Sequence, residues 1–311
     1  MMGESALHVG VDVGGTTVVA AAVADDGTVS LVREAPTPRP SQGAAALERA
    51  LAEAVWAVCG DTAPASVGIA AAAFVDSDRR HAQFAPHLAW RGEAVADRME
   101  ALLGVPVLIE NDATCAAWGE ASLGAARHRR SSITLTVGTG IGGGIVLDGH
   151  LVRGAQGMAG EFGHMCVDPR GPQCPCGGRG CWERYCSGPA LLAVAASRFE
   201  RGGGAGQAPA DGADVSRAAE AGQEWAVAAF EEVGTALGRG LVWLVNAIDP
   251  EIVVIGGGVS RAGDLLLAPA RRVLATDVVG AGHRRVPDVI AAGLGPHAGL
   301  VGASLLARTT G

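Results

Sequence analysis

Two stretches of the chain share one layout. The apolar run Ala6–Val13 ends in Asp12-Val13-Gly14-Gly15-Thr16-Thr17. A second run, Val18–Ala24, follows at once, and Asp25-Asp26-Gly27 leads to a third, Thr28–Arg33. Later, Ile133–Val137 leads into Gly138-Thr139-Gly140-Ile141-Gly142-Gly143-Gly144, then Ile145–Leu147 and Asp148-Gly149. Each reads as strand, Gly-Thr turn, strand and acidic-Gly hairpin turn. An internal repeat of this kind predicts two related lobes rather than one large core.

Around these meanders, strands and helices alternate. The apolar spacing predicts helices over Gln42–Cys59, Gly92–Leu103, 112 to about 123, Pro189–Phe199, Gln223–Ala247, from about Ser260, and Ala298–Ala307. It predicts strands over Ser66–Ala72, Val105–Ile109, Glu251–Ile255 and Val289–Ala292. The expected class is therefore α/β in two lobes. The polar break 125–132 sets the expected boundary, with a small lobe of 1–123 plus 298–311 and a large lobe of 124–297. Pro36–Pro40 reads as a linker and Gly202–Ala213 as a flexible surface loop.

At 311 residues the chain is long enough for two lobes, and with one Tyr, five Phe and six Trp its cores must be aliphatic. It contains no Lys, and its net charge is −8, which argues against nucleic acid as the main partner. No apolar run reaches membrane-spanning length, and no basic-then-apolar segment opens the chain, so a cytoplasmic protein with no membrane partner is expected. Five of the seven cysteines fall within residues 158–187. In such a compartment this clustering favours metal and free thiols over disulfides.

The Gly-Thr turns are either tight hairpins where Gly supplies a positive φ, or anion cradles in which backbone N–H groups and a Thr hydroxyl approach phosphate. Two of them in matching positions, Gly14-Gly15-Thr16 and Gly138-Thr139-Gly140, with Gly256-Gly257-Gly258 after a late strand, suit a nucleotide held between lobes. Asp12 either caps its turn or holds Mg²⁺ and phosphates. The spacings of a P-loop and of a dinucleotide fingerprint are absent. Glu110-Asn111-Asp112 ends a strand and opens a helix. Asp112 is either the helix N-cap or a carboxylate facing the crevice, able to take a proton from a substrate hydroxyl as it attacks a phosphoryl group. The helix N-terminus would keep such a carboxylate ionised and a weak base, and Asn111 would orient hydroxyls.

His164, Cys174, Cys176 and Cys181 form a ligand set for a closed tetrahedral Zn²⁺ site, with Cys166 and Cys186 as possible substitutes for the imidazole. If one ring nitrogen of His164 binds metal, the other N–H is fixed in direction and can meet a substrate hydroxyl. Glu161 and Glu183 are either solvated loop charges or acceptors for further hydroxyls.

These residues together resemble the ROK family of bacterial sugar kinases and sugar-responsive repressors, within the actin-like ATPase superfamily. Asp12-Val13-Gly14-Gly15-Thr16 resembles the first phosphate motif, Gly138–Gly144 the second, and Glu110-Asn111-Asp112 the catalytic motif in which the Asp is the base. Glu161-Phe162-Gly163-His164 resembles a sugar-contacting signature, and Cys174 through Glu183 the zinc motif whose Glu also contacts sugar. Phe74-Val75-Asp76 and Phe84 through Arg91 are most similar to the actinobacterial glucokinases. Thr17, Ala73, His87 and Thr114 depart from their usual residues, which are Lys, Gly, Asn and Asn.

The resemblance implies the two-lobed actin-like ATPase fold, with ribonuclease H-like repeats and a ligand cleft between lobes. It implies ATP-dependent phosphorylation of a hexose, glucose first, with N-acetylmannosamine, fructose or allose as alternatives, and polyphosphate or ADP as alternative donors. Asp112 is the expected base. Asn111, Glu161, His164 and Glu183 hold sugar. Asp12, Gly14, Gly15, Thr16, Gly138, Thr139, Gly140, Gly256 and Gly257 hold Mg²⁺ and nucleotide. A homodimer or homotetramer is implied. A non-catalytic sugar-responsive regulator is the other reading. Repressors of the family carry a helix-turn-helix before the first phosphate motif, and here only about ten residues precede it.

Overall fold

The computed structural model describes residues 6–202 and 207–310. They form two compact units. The first comprises residues up to His128, Gly144–Gly160 and Gly293 onward, and the second Arg129–Gly143 and Glu161–Ala292. The boundary expected near 124 thus falls at 128/129, and the segment 144–160 belongs with the first unit.

The first sheet contains β1 (His8–Val13), β2 (Thr17–Val23), β3 (Val29–Pro36), β4 (Ser66–Ala71) and β7 (Val107–Asn111), in the order β3-β2-β1-β4-β7. The first three strands run antiparallel, and β1, β4 and β7 run parallel. A short hairpin, β5 (Phe74–Val75) with β6 (Ala82–Phe84), lies apart from this sheet. Side chains alternate between the sheet faces. Val67, Ile69 and Ala71 join the core beneath α1 (Ala44–Cys59) and α2 (Val95–Leu103). Ala70 and Leu108 face α3 (Asp112–Ser122) and the terminal helix described below.

The second sheet repeats the order, β10-β9-β8-β11-β12, with β8 (Ser132–Val137), β9 (Ile141–Leu147), β10 (His150–Val152), β11 (Ile252–Gly256) and β12 (Asp288–Ala291). The two layouts noticed in the sequence therefore open two sheets of identical strand order. One detail differs from expectation. Gly142–Gly144 lies inside β9, so the second turn is only Gly138–Gly140.

The second unit also holds α4 (Glu183–Cys186), α5 (Gly188–Arg201), α6 (Gly212–Glu220), α7 (Glu224–Ile248) and α8 (Asp264–Asp277). Helix α6 falls where no helix is expected from the sequence. Of the expected loop 202–213, residues 203–206 lie outside the described residues. Pro36–Pro40 is no linker: β3 runs through Pro36, and a 3-10 turn at Pro40–Gln42 leads into α1.

The last helix, α9 (Ala298–Ala307), returns to the first sheet and is buried on nearly every side. Gly68 explains the close fit. A methyl group there would strike the carbonyl of Ala303, so only Gly lets α9 lie against β4. No described helix is long and apolar enough to cross a membrane.

Candidate active site

In the first unit, Asp12 sits near the end of β1 and Asp112 at the first position of α3. A Cβ built on Gly299 of α9 would meet Oδ2 of Asp12 at 3.4 Å and the Asp112 carbonyl at 3.5 Å, so both strand ends converge on this one glycine. Burial, and then the charge of Asp112, push the Asp12 carboxyl up to about 7. Burial likewise raises Asp112, against the opposing hydrogen bond from the Ala113 N–H to Oδ1 at 2.8 Å. This corrects the expectation that the helix terminus keeps Asp112 a weak base: desolvation outweighs it, and the carboxylate is the stronger base for it.

Asp112 is not the N-cap. Asn111 is, accepting from the Thr114 N–H at 3.0 Å and from the Thr114 hydroxyl at 3.3 Å through Oδ1. Its Nδ2 donates to the Ala73 carbonyl at 3.2 Å, which leaves one N–H of the amide for a ligand. Thr114 and Ala73 thus act on Asn111 directly. The first turn is closed by Gly14 N–H to Thr17 O at 3.0 Å and braced by the Thr37 hydroxyl on the Gly14 carbonyl at 2.8 Å. Gly15 and Thr16 are exposed, as is Thr17. A Cβ on Gly15 would meet Cβ of His87 at 3.0 Å, so His87 stands against this turn.

In the second unit, one donor atom each from His164, Cys174, Cys176 and Cys181 lie within 4.8 Å of one another. Sγ of Cys176 and Sγ of Cys181 are 3.6 Å apart. The chemistry of this set, one imidazole and three thiols, fits a structural zinc ion. Cys166 and Cys186 stand outside it. All seven cysteines are free, and Cys186 Sγ donates to the Trp182 carbonyl instead. His164 turns Nδ1 toward Cys174 Sγ (3.9 Å) and Nε2 toward Glu161 (3.8 Å). Glu183 lies beside the same cluster, with Oε1 3.2 Å from Cys174 Sγ. A Cβ on Gly140 would meet its other oxygen at 2.6 Å, so the second Gly turn packs against Glu183.

That turn is also the edge of a cavity of about 780 Å³, lined by Gly138, Thr139, the start of α5 (Gly188, Leu191), residues of α6 (Ser216, Glu220) and Gly258. Gly188 N–H donates to the Gly138 carbonyl at 2.7 Å, joining turn and helix. The expected Gly256 and Gly257 do not line the cavity. Gly256 is buried at the end of β11, and Gly257 (φ 86°) presses on the Val137 backbone, which presents Gly258 instead. The contribution of α6 carries no motif and is missed from sequence. So is a buried cluster at Glu110, which accepts from Arg79 Nε at 3.1 Å and Arg153 Nε at 2.5 Å.

Residues 8–310 match the family model described as "ROK family". The chain belongs to the ROK family. It is 41% identical to a glucokinase of Streptomyces coelicolor, over 97% of this chain and 98% of the relative. It is 34% identical to a glucokinase of Thermotoga maritima, over 96% of each. Among solved structures, the ROK family glucokinase from Streptomyces griseus in complex with glucose and AMPPNP is similar, with 40% identity, a TM-score of 0.87, and coverage of 97% of this chain and 99% of that one. The fold is the two-lobed actin-like ATPase fold of that family.

Proposed function

We infer that this chain is an ATP-dependent sugar kinase whose favoured acceptor is glucose, with glucose 6-phosphate as product. One observation carries the reading: the near-full-length likeness to glucokinases comes with half-buried Asp12 and Asp112, at the ends of β1 and β7 on either side of β4, both converging on Gly299. Two carboxylates that burial pushes upward suit a base and a cation ligand for phosphoryl transfer.

In the proposed reaction Asp112 takes the proton from the 6-hydroxyl while that oxygen attacks the γ-phosphorus of ATP. The bond to the bridging oxygen breaks and ADP leaves. Asn111 contributes its remaining N–H to the sugar. Glu161, His164 through Nε2, and Glu183 hold the other hydroxyls. Gly14, Gly15 and Thr16 on one turn, with Gly138, Thr139 and Gly140 on the other, approach the phosphates, and the 780 Å³ cavity takes the nucleoside. Asp12 suits Mg²⁺, because a cation would relieve its repulsion with Asp112. Mg²⁺ neutralises charge on the phosphates when bound. A zinc ion at His164, Cys174, Cys176 and Cys181 is structural in this reading, since four protein donors leave no open position. A cytoplasmic homodimer or homotetramer is the expected working form.

The test is turnover with ATP and Mg²⁺ over a panel of glucose, mannose, N-acetylmannosamine, fructose and allose. Glucose should give the highest kcat/KM. Preference for another sugar would replace the acceptor, and no turnover with any would overturn the kinase reading.

A further inference from the structure

Glu110 is the only charged residue in the run between Val107 and Asn111, and its side chain is 0% exposed. An ionised carboxylate so placed must be fully paired or it would destabilise the unit severely. It is over-supplied. Oε2 accepts from Arg79 Nε at 3.1 Å and Arg153 Nε at 2.5 Å, and Oε1 accepts from Arg153 Nη2 at 3.3 Å and from the Asn111 N–H at 2.8 Å. The Arg153 guanidinium then reaches on, with Nη2 donating to the Asp76 carbonyl at 2.8 Å and Nη1 to the Ser77 carbonyl.

Both arginines have unusual surroundings. Arg79 has φ 60°, a left-handed conformation that costs a residue with a Cβ about 1 kcal/mol or more. Its carbonyl accepts from the Ile109 N–H at 3.1 Å, two residues before Asn111. Arg153 lies eight residues before Glu161, on the segment whose Gly157 packs against the Val75 carbonyl. The Arg153 carbonyl accepts from the Ala159 N–H at 3.0 Å, which fixes the course of that segment. The strand end that carries Asn111 and Asp112, and the segment that runs on to Glu161, are therefore tied to one buried carboxylate.

We propose that Glu110, through Arg153, is a positioning residue for the phosphoryl-transfer site: it sets the backbone at Asn111 and the path of residues 153–160 together. It touches no substrate. The inference rests on the site proposed above. A buried ion pair contributes little net stability on average, so the placement of this one beside the site, with a strained Arg79 held around it, points to geometry rather than to stability. Misplacing a reacting group by about 1 Å costs on the order of a hundredfold in rate.

The test uses Arg153→Lys, Arg153→Met and, as a control, Arg98→Met. Arg98 lies on α2, on the opposite face of the first sheet from α3, and reaches Glu48 at 3.2 Å, so it too is the ion-pair partner of a buried Glu. Each variant is first shown folded by its near-UV spectrum and melting midpoint, then assayed at a temperature well below melting. Arg153→Met should lower kcat by about ten- to hundredfold and raise KM for the sugar several-fold, with KM for ATP within about twofold. Arg153→Lys keeps the charge but loses the forked pairing, so it should recover stability more fully than kcat. Arg98→Met should lose stability alone. Wild-type kcat and sugar KM in folded Arg153→Met would overturn the proposal. So would full recovery of kcat in step with stability in Arg153→Lys, because that is what a purely structural pair would give. If the wild-type protein itself transfers no phosphate to sugar, the failure lies with the kinase reading and not with this one.

Discussion

Oε1 of Glu183 lies 3.2 Å from Sγ of Cys174 and 3.6 Å from Nδ1 of His164. The carboxylate proposed to grip sugar is thus built into the wall of the thiol cluster. Burial pushes the Cys174 thiol up to about 12, and a bound cation would bring it down. The position of Glu183 therefore depends on how tightly that cluster is held.

Removing zinc should disturb sugar binding before chemistry. Exhaustive chelation, or Cys176→Ser, should raise KM for glucose about fivefold or more and lower the melting midpoint by several degrees, with a smaller change in kcat. Metal content by mass spectrometry, followed by kinetics on the stripped protein, checks this. Unchanged KM and midpoint after complete removal would disconnect the knot from the site.

The repeated meander, the clustering of His164 with three cysteines and the nearness of the two aspartates were legible because each rests on local chemistry: alternating apolar residues, Gly-Thr turns, Cys and His at short spacing. The closing helix was legible to the residue, since Ala298–Ala307 is apolar except for Ser304. What escaped depends on partners distant in the chain. Asn111 became the cap only because Thr114 follows it at cap spacing while Ala73 holds its amide. Glu110 needs Arg79 and Arg153, 31 and 43 residues away. The upward shift of the Asp112 carboxyl comes from burial, which no tripeptide reveals. Helix α6 has a Gly and several Ala with no long apolar stripe, and its place is set by packing against α5 and α7.

The paired aspartates make stability depend on pH with a definite sign. The Asp12 carboxyl is raised from its ordinary value to about 7, so the folded protein without ligand binds that proton more tightly than the unfolded chain. The favourable contribution is complete below the unfolded value near 4 and is lost as pH rises through about 7. Asp12→Asn should match the wild type near pH 4 and melt a few degrees higher near pH 8. Melting curves across that range, without nucleotide or Mg²⁺, give the comparison; a wild type that gains stability relative to Asp12→Asn on raising the pH would reverse the assigned sign.

The cavity between α5 and α6 should belong to the nucleotide. Ser216→Trp places a large ring in a space lined by Leu191, Glu220 and Gly258. KM for ATP should rise about tenfold or more while glucose Kd stays within about twofold. Calorimetric sugar binding beside steady-state kinetics separates the two. A rise in sugar Kd with ATP unaffected would assign the cavity otherwise.

His87 stands against Gly15, its Cβ 3.0 Å from where a Cβ on Gly15 would lie. An imidazole there should restrict the acceptor more than a smaller amide would. His87→Asn should raise kcat/KM for bulkier 2-substituted hexoses relative to glucose by about three- to tenfold, without shifting the melting midpoint appreciably. The sugar panel run on both proteins decides it, and an unchanged ratio would leave His87 with a packing role alone.

Asp112 is the proposed base of phosphoryl transfer to sugar. Asp112→Asn keeps the shape of the side chain and the hydrogen bond from Ala113 within reach of its oxygen. Single-turnover transfer from ATP to glucose, measured beside glucose binding on the same protein, tests it most directly. The rate should fall by about a thousandfold, with glucose Kd within about threefold of wild type. Transfer within tenfold of wild type, at unimpaired binding, would contradict it.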